Sequence, residues 1–133
     1  MACSVIHRCP VCSFEIEAWS DGNPYILDDR NRPKFYYHPC ESERIEIIAS
    51  CEWARSKTDA ELSQILELKS GIMSDMICLE CAGKFKCDTE KKKPKCRKCG
   101  SENVHDQFLL EGVTCPKCHR GQFPDVPERG AIS

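Results

Sequence analysis

The chain has 133 residues, among them 12 cysteines, with 41% hydrophobic residues and a formal net charge of −2 at pH 7. With the cysteines set aside, apolar residues fall to about a third of the chain, a core so lean that metal or covalent staples are expected. No apolar run approaches the ~20 residues of a membrane span, and the composition argues against collagenous, coiled-coil and wholly disordered chains.

From Met1 to Pro10 there is no apolar stretch of signal-peptide length. A reducing, cytoplasmic setting is therefore expected, where structural disulfides are uncommon. Cys9-Pro10-Val11-Cys12 is the first of four C-x-x-C pairs, the others being Cys78/Cys81, Cys96/Cys99 and Cys115/Cys118. Two thiolates three residues apart in a tight turn can face one cation. Two such pairs complete a tetrahedral four-sulfur shell at about 2.3 Å per bond, as zinc prefers. A single pair could be a thioredoxin-like redox motif. Four of them, none placed in a βαβ unit, point to metal ligation.

Ser13–Trp19 alternates apolar and polar residues, the period of a half-buried strand. After the turn-rich Ser20–Pro24, Tyr25–Leu27 and Lys34–Tyr37 flank Asp28–Pro33, which predicts a hairpin. Residues 1–40 thus read as an N-terminal β-unit opened by a metal knuckle. Residues 41–71 read as a helical segment. Between Arg44 and Lys57, Ile47, Ile48, Cys51 and Ala54 share one helical face, although the β-branched content also permits a strand. Thr58-Asp59-Ala60-Glu61 fits a capping box, Leu62, Ile65, Leu66 and Lys69 recur at helical spacing, and Gly71 can supply a left-handed stop. These predict a helix over about 59–70. Residues 72–123 hold the other three cysteine pairs. The Pro- and Gly-containing tail 124–133 is expected to be disordered. The fold class expected is a small metal-stapled α+β protein, with zinc β-ribbons, short β-hairpins and one or two helices in the middle.

Within 72–123, Met76-Ile77 leads into Cys78-Leu79-Glu80-Cys81. Phe85 follows four residues after the second cysteine, and a charged stretch leads to Cys96-Arg97-Lys98-Cys99-Gly100. This segment of about 25 residues resembles a zinc ribbon, in which an apolar strand enters one knuckle, a charged hairpin follows, and a second knuckle ends in glycine. Gly100 matches the ribbon's glycine, whereas Ala82 stands where the first knuckle usually has one, with Gly83 a residue later. The resemblance implies a metal held by Cys78, Cys81, Cys96 and Cys99. Cys9/Cys12 and Cys115/Cys118 would then join as a second site, with Phe14 and Gly121-Gln122-Phe123 flanking the metal. Closing that long loop costs only logarithmically in its length, well below a zinc site's ~10–16 kcal/mol. Two alternatives stay open: Cys96/Cys99 with Cys115/Cys118 and Cys9/Cys12 with Cys78/Cys81, or Cys9/Cys12 with His38 and Cys40. Cys3, Cys51 and Cys87 read as ordinary thiols, and His119 as a shield beside its cluster.

Charge is uneven: residues 1–70 carry 8 basic and 12 acidic side chains, residues 71–133 carry 11 and 9. The basic stretch Lys84–Lys98 could contact phosphates. Its plainer reading is compensation, since two four-thiolate zinc sites would take the chain to about −6. No H-E-x-x-H, Walker loop, G-x-S-x-G or deaminase zinc motif occurs, and closed four-thiolate sites lack the open position of catalytic zinc. The expected function is a non-catalytic zinc-binding adaptor carrying two zincs and binding a protein partner, with nucleic acid as a second candidate and no membrane. A rubredoxin-like iron electron carrier is the alternative, and a metal chaperone the third reading.

Overall fold

The computed structural model describes residues 3–37 and 41–132 as an α+β fold of antiparallel sheets and two α-helices. In chain order the elements are β1 (Cys3–Arg8), β2 (Glu15–Trp19), β3 (Asn23–Leu27), β4 (Pro33–Phe35), α1 (Glu41–Ser50), α2 (Asp59–Lys69), β5 (Ser70–Cys78), β6 (Lys84–Cys87), β7 (Val104–Asp106) and β8 (Glu128–Ile132). A 3-10 turn at Glu52–Ala54 separates the helices. The chain packs as two units, Met1–Gly22 with Ser74–Ser133, and Asn23–Met73. The N-terminal segment read as one β-unit is therefore divided at Gly22, and its second half folds with the helices.

In the unit 23–73, β3 lies between β4 and the first half of β5, with Tyr25 opposite both Phe35 and Gly71. The β3–β4 turn forms as expected, because Asp28 accepts the amides of Arg30 and Arg32 at 2.9 Å. Its neighbour Asp29 accepts the amides of Glu52 at 3.0 Å and Trp53 at 3.3 Å, which caps the 3-10 turn. The Trp53 indole Nε1–H donates to the Leu27 carbonyl at 3.1 Å. Between Arg44 and Lys57 the helical period therefore prevails over the β-branched content. The Thr58/Glu61 capping box is formed in full. Gly71 does not supply the helix stop. The chain leaves α2 through an extended Ser70 (φ −132°), and Gly71 pairs within β5.

In the other unit, β1 lies between β2 and β8, and the second half of β5 lies between β6 and β7. Its core gathers Cys9, Ile16, Ile77, Leu110, Cys115 and Phe123, with Phe14, Leu79 and Val113 packed against it. The tail 124–133 departs from the expected disorder by forming β8, with Val5 opposite Arg129 and Ile6 opposite Glu128. The free edge of β1 supplies the amides and carbonyls that a Pro- and Gly-containing segment can use without a helix or strand signal of its own. Arg8 ties three strands together, reaching Glu15 at 2.7 Å and Glu128 at 2.8 Å. A Cβ at Gly130 would collide with the Ser4 hydroxyl and lie 3.1 Å from Glu17 Oε2. Gly130→Ala is therefore expected to push β8 off β1 and destabilise the chain by on the order of 1–3 kcal/mol. Urea unfolding and amide exchange along β8 would register both effects.

Candidate metal centres

All four C-x-x-C pairs fold alike. The amide of the residue after the second cysteine donates to the carbonyl of the first, from Ser13 to Cys9, Ala82 to Cys78, Gly100 to Cys96 and His119 to Cys115, each at 3.0 Å. Ser13, Ala82, Gly100 and His119 all take a left-handed backbone, with φ of 66°, 63°, 74° and 57°. Only one of the four is glycine, so the turn imposes that conformation on three residues at about 1–2 kcal/mol each. Ala82 thus occupies the glycine position of the first knuckle with the hydrogen bond intact. Each first cysteine's own amide is also engaged, donating to Phe14, Gly83, Ser101 or Gly121 carbonyls at 2.8–2.9 Å.

These turns bring the sulfurs together in two sets of four. An outer cluster joins Cys9, Cys12, Cys115 and Cys118, and an inner cluster joins Cys78, Cys81, Cys96 and Cys99, all sulfurs of a set lying within 4.8 Å of one another. Cys9–Cys118 and Cys12–Cys115 are 3.7 Å apart, Cys78–Cys99 3.5 Å and Cys81–Cys96 3.6 Å. A tetrahedron with metal–sulfur bonds of about 2.3 Å has an edge of about 3.8 Å. A disulfide at about 2.0 Å is far shorter, and these cysteines are free. The donor set therefore fits one metal ion per cluster and is compatible with zinc-ribbon-like knuckles. Of the pairings open in the sequence, this is the arrangement that joins the chain's two ends. His38 and Cys40 lie outside the described residues, and Cys9/Cys12 face Cys115/Cys118. Cys3, Cys51 and Cys87 join neither cluster, and exposed His119 stands outside the outer one.

The two centres share one topology. In the inner one, β5 enters a knuckle and returns as β6, and the strand after the second knuckle, β7, pairs back onto β5. In the outer one, β1 and β2 flank the first knuckle and β8 follows the second, pairing back onto β1. The orders β6-β5-β7 and β2-β1-β8 are thus equivalent, and the inner centre is inserted within the outer one. Beyond the cysteines the two halves share no repeated side-chain pattern, so the duplication of form is invisible as a repeat in the sequence.

Backbone amides tune the thiols. Lys117 N–H points at Cys115 Sγ (3.4 Å) and Gly121 N–H at Cys118 Sγ (3.5 Å). Amides of Arg120 and Gly121 pull Cys118 down to about 6, and the Cys99 amide, helped by that of Lys98, does the same for Cys96. Burial, reinforced by the thiols of Cys12 and Cys9, pushes Cys115 up to about 11. At Cys99 the Ser101 amide pulls downward, but Cys78, burial and the remaining thiols outweigh it and raise the group to about 12. A metal must displace the protons of Cys99 and Cys115 at neutral pH, and below about pH 6 it must displace those of Cys96 and Cys118 as well. Affinity should therefore rise with pH, by at least about tenfold per unit between pH 6 and 8, with release in acid. Competition with a chromophoric chelator reads this directly, and a flat profile would contradict thiolate ligation.

The two glycines placed beside the knuckles by the sequence, Gly83 and Gly121, differ in how closely the sulfurs approach them, and His7, which no sequence motif singles out, also matters here. A Cβ on Gly121 would sit 2.6 Å from Cys9 Sγ and 2.9 Å from Val11 Cγ2, whereas one on Gly83 meets Cys81 Sγ and the flexible Lys98 Cδ at 3.2 Å. Gly121→Ala is thus expected to weaken the outer site by about a hundredfold, the equivalent of ~2.7 kcal/mol, and Gly83→Ala to weaken the inner site by less than about tenfold. Chelator competition on the two variants checks the contrast. His7 is fully buried, with Nε2 3.0 Å from the Phe108 carbonyl and its ring edge-on to Phe123 at 5.9 Å. It ties the segment before the last knuckle to β1. Nothing but its place in a strand entering a knuckle marks it in the sequence.

Around the inner cluster, Lys86 pairs with Asp75 at 2.7 Å and Lys93 with Glu102 at 3.1 Å. Lys117 lies over the Phe14 ring at 5.7 Å. No helix among the described residues is long and apolar enough to cross a membrane. Comparison with known protein families, with curated proteins and with solved structures returns no match.

Proposed function

We propose that this chain is a non-catalytic zinc-binding adaptor, a nested pair of zinc ribbons that presents a fixed surface to a protein partner. The observation that carries this reading is the pair of closed sulfur tetrads. In each, all four donors come from cysteine knuckles, and in the outer one the amides of Lys117 and Gly121 point at the sulfurs. Cys9, Cys12, Cys115 and Cys118 would hold one zinc, and Cys78, Cys81, Cys96 and Cys99 the other. Bound there, the metal supplies cross-linking strength and no open coordination position for a reacting molecule.

Iron in the same tetrads would make an electron carrier, since metal availability decides between the two as much as the ligand set does. Colour separates them. The purified protein is expected to be colourless, while a red chain that bleaches on reduction would replace the adaptor with the carrier. The basic stretch Lys84–Lys98 is read as local charge compensation in place of a phosphate-binding face, supported by the pairing of Lys86 with Asp75 and of Lys93 with Glu102. Low-salt anisotropy titrations with single-stranded RNA and with single-stranded and duplex DNA are expected to show no binding. Salt-dependent binding in any of them would make nucleic acid the partner instead.

A further inference from the structure

The unit 23–73 holds neither cysteine tetrad, and its apolar burial is thin. Among its described residues Tyr25, Ile26 and Cys51 are the buried hydrophobic core, and α1 and α2 bury no residue at all. Helices of ten or eleven residues are marginal alone and ordinarily owe their stability to an apolar stripe packed on a neighbour. Here that stripe is left half open. Ile48 and Ala49 of α1, Cys51 just before the 3-10 turn, Ala54 within it and Leu62 of α2 line a groove of about 250 Å³, with Arg55 the cationic wall residue among the described residues. Ile45 and Leu68, on the same two helices, are 60% and 77% exposed.

Charge selects the occupant. Residues 41–69 carry seven carboxylates against four cationic side chains, net −3, and the ion pairs seen among the described residues lie elsewhere in the chain. Glu46 precedes the groove residues of α1, Glu52 lies in the turn, and Glu61 adjoins Leu62. A second copy of this surface would set carboxylates against carboxylates, which disfavours self-pairing. A cationic partner meets the net negative charge of the helical segment as a whole and apolar walls in the groove itself.

We infer that the α1–α2 groove is the docking site of a partner protein, which inserts the apolar face of a basic amphipathic helix. This rests on the adaptor reading and names the class of its partner. One or two branched aliphatic side chains fill a groove of about this volume, and lysines or arginines beside them meet the net negative charge of the helical segment. Anchors spaced i, i+3, i+4 and i+7 suit such a groove.

The test uses the full metal-loaded chain and a fluorescein-labelled 18-residue amphipathic Leu/Lys helix, with a Leu/Glu helix of the same pattern and a scrambled Leu/Lys peptide as comparisons. Anisotropy should show the Leu/Lys helix binding at least about tenfold more tightly than either comparison. Leu62→Lys should reduce that binding at least about tenfold. Ala49→Trp, which fills the groove from an exposed position and spares the fold, should do the same. Equal binding of the three peptides, or wild-type affinity in Ala49→Trp, overturns the proposal. So does a concentration-dependent dimer, seen by sedimentation, that Ala49→Trp abolishes, because the groove would then belong to a second copy. Two zincs per chain with no peptide preference sinks the groove's role alone, whereas iron in the tetrads sinks the adaptor reading.

Discussion

Cys9→Ser is expected to leave one firmly held metal per chain, and Cys78→Ser to leave one that is held weakly. The asymmetry follows from the nesting of the two centres. The outer cluster joins positions 109 residues apart, so its loss unties β8 and β1 while the inner centre keeps its local strands β5, β6 and β7. The reverse loss reaches further. Ile77, the residue before Cys78, is fully buried and belongs to the same apolar cluster as Cys9 and Cys115. When the inner cluster opens, Ile77 is no longer fixed, and the outer knuckles lose part of the floor they pack on. The outer metal in Cys78→Ser should therefore yield to a chelator at a concentration at least about tenfold lower than in the wild-type chain, the equivalent of ~1.4 kcal/mol of lost packing. Metal analysis after graded chelator dialysis measures both variants. Equal retention of the remaining metal in the two would contradict the dependence of outer on inner.

Stripping both metals is expected to abolish the cooperative unfolding transition. A structural zinc supplies apparent binding energy of about 10–16 kcal/mol, as large as the whole stability of an ordinary domain. Little else holds the unit that contains the clusters. Its buried apolar cluster consists of four non-cysteine side chains, Ile16, Ile77, Leu110 and Phe123, together with the cysteines Cys9 and Cys115. The strands beside them are three to nine residues long and depend on the knuckles for their register. Thermal or urea unfolding followed by near-ultraviolet circular dichroism, with a strong chelator and a thiol reductant present, should give a broad, non-cooperative slope. A sigmoidal transition of undiminished steepness in the metal-free chain would show that the apolar core folds without its staples.

Much of this arrangement is legible in the amino-acid sequence, and the reasons are local. Thr58 and Glu61 satisfy each other's backbone through contacts three residues apart, so the start of α2 can be read directly. Asp28 organises the β3–β4 turn over a four-residue reach. The cysteine knuckles are equally local, and the tight C-x-x-C spacing places two sulfurs together whatever surrounds them. What cannot be read depends on distant partners. Gly71 carries a stop signal, but pairing opposite Tyr25 draws it into a strand. The tail looks disordered because β8 takes its order from β1, more than a hundred residues earlier, and from Arg8. Gly121 and Gly130 are small because Cys9 and Ser4 approach them from the far end of the chain, which no window of sequence displays. The pairing of the tetrads belongs to the same class: spacing leaves three choices, and the convergence of both chain ends selects one.

The most direct test is the metal content of the intact protein, purified without added metal or affinity-tag chelates and measured by inductively coupled plasma mass spectrometry against protein concentration. Two zincs per chain, falling to one in Cys9→Ser, is the expected result. A chain that retains its cooperative fold with less than one metal, or that carries iron in both tetrads, would contradict the account.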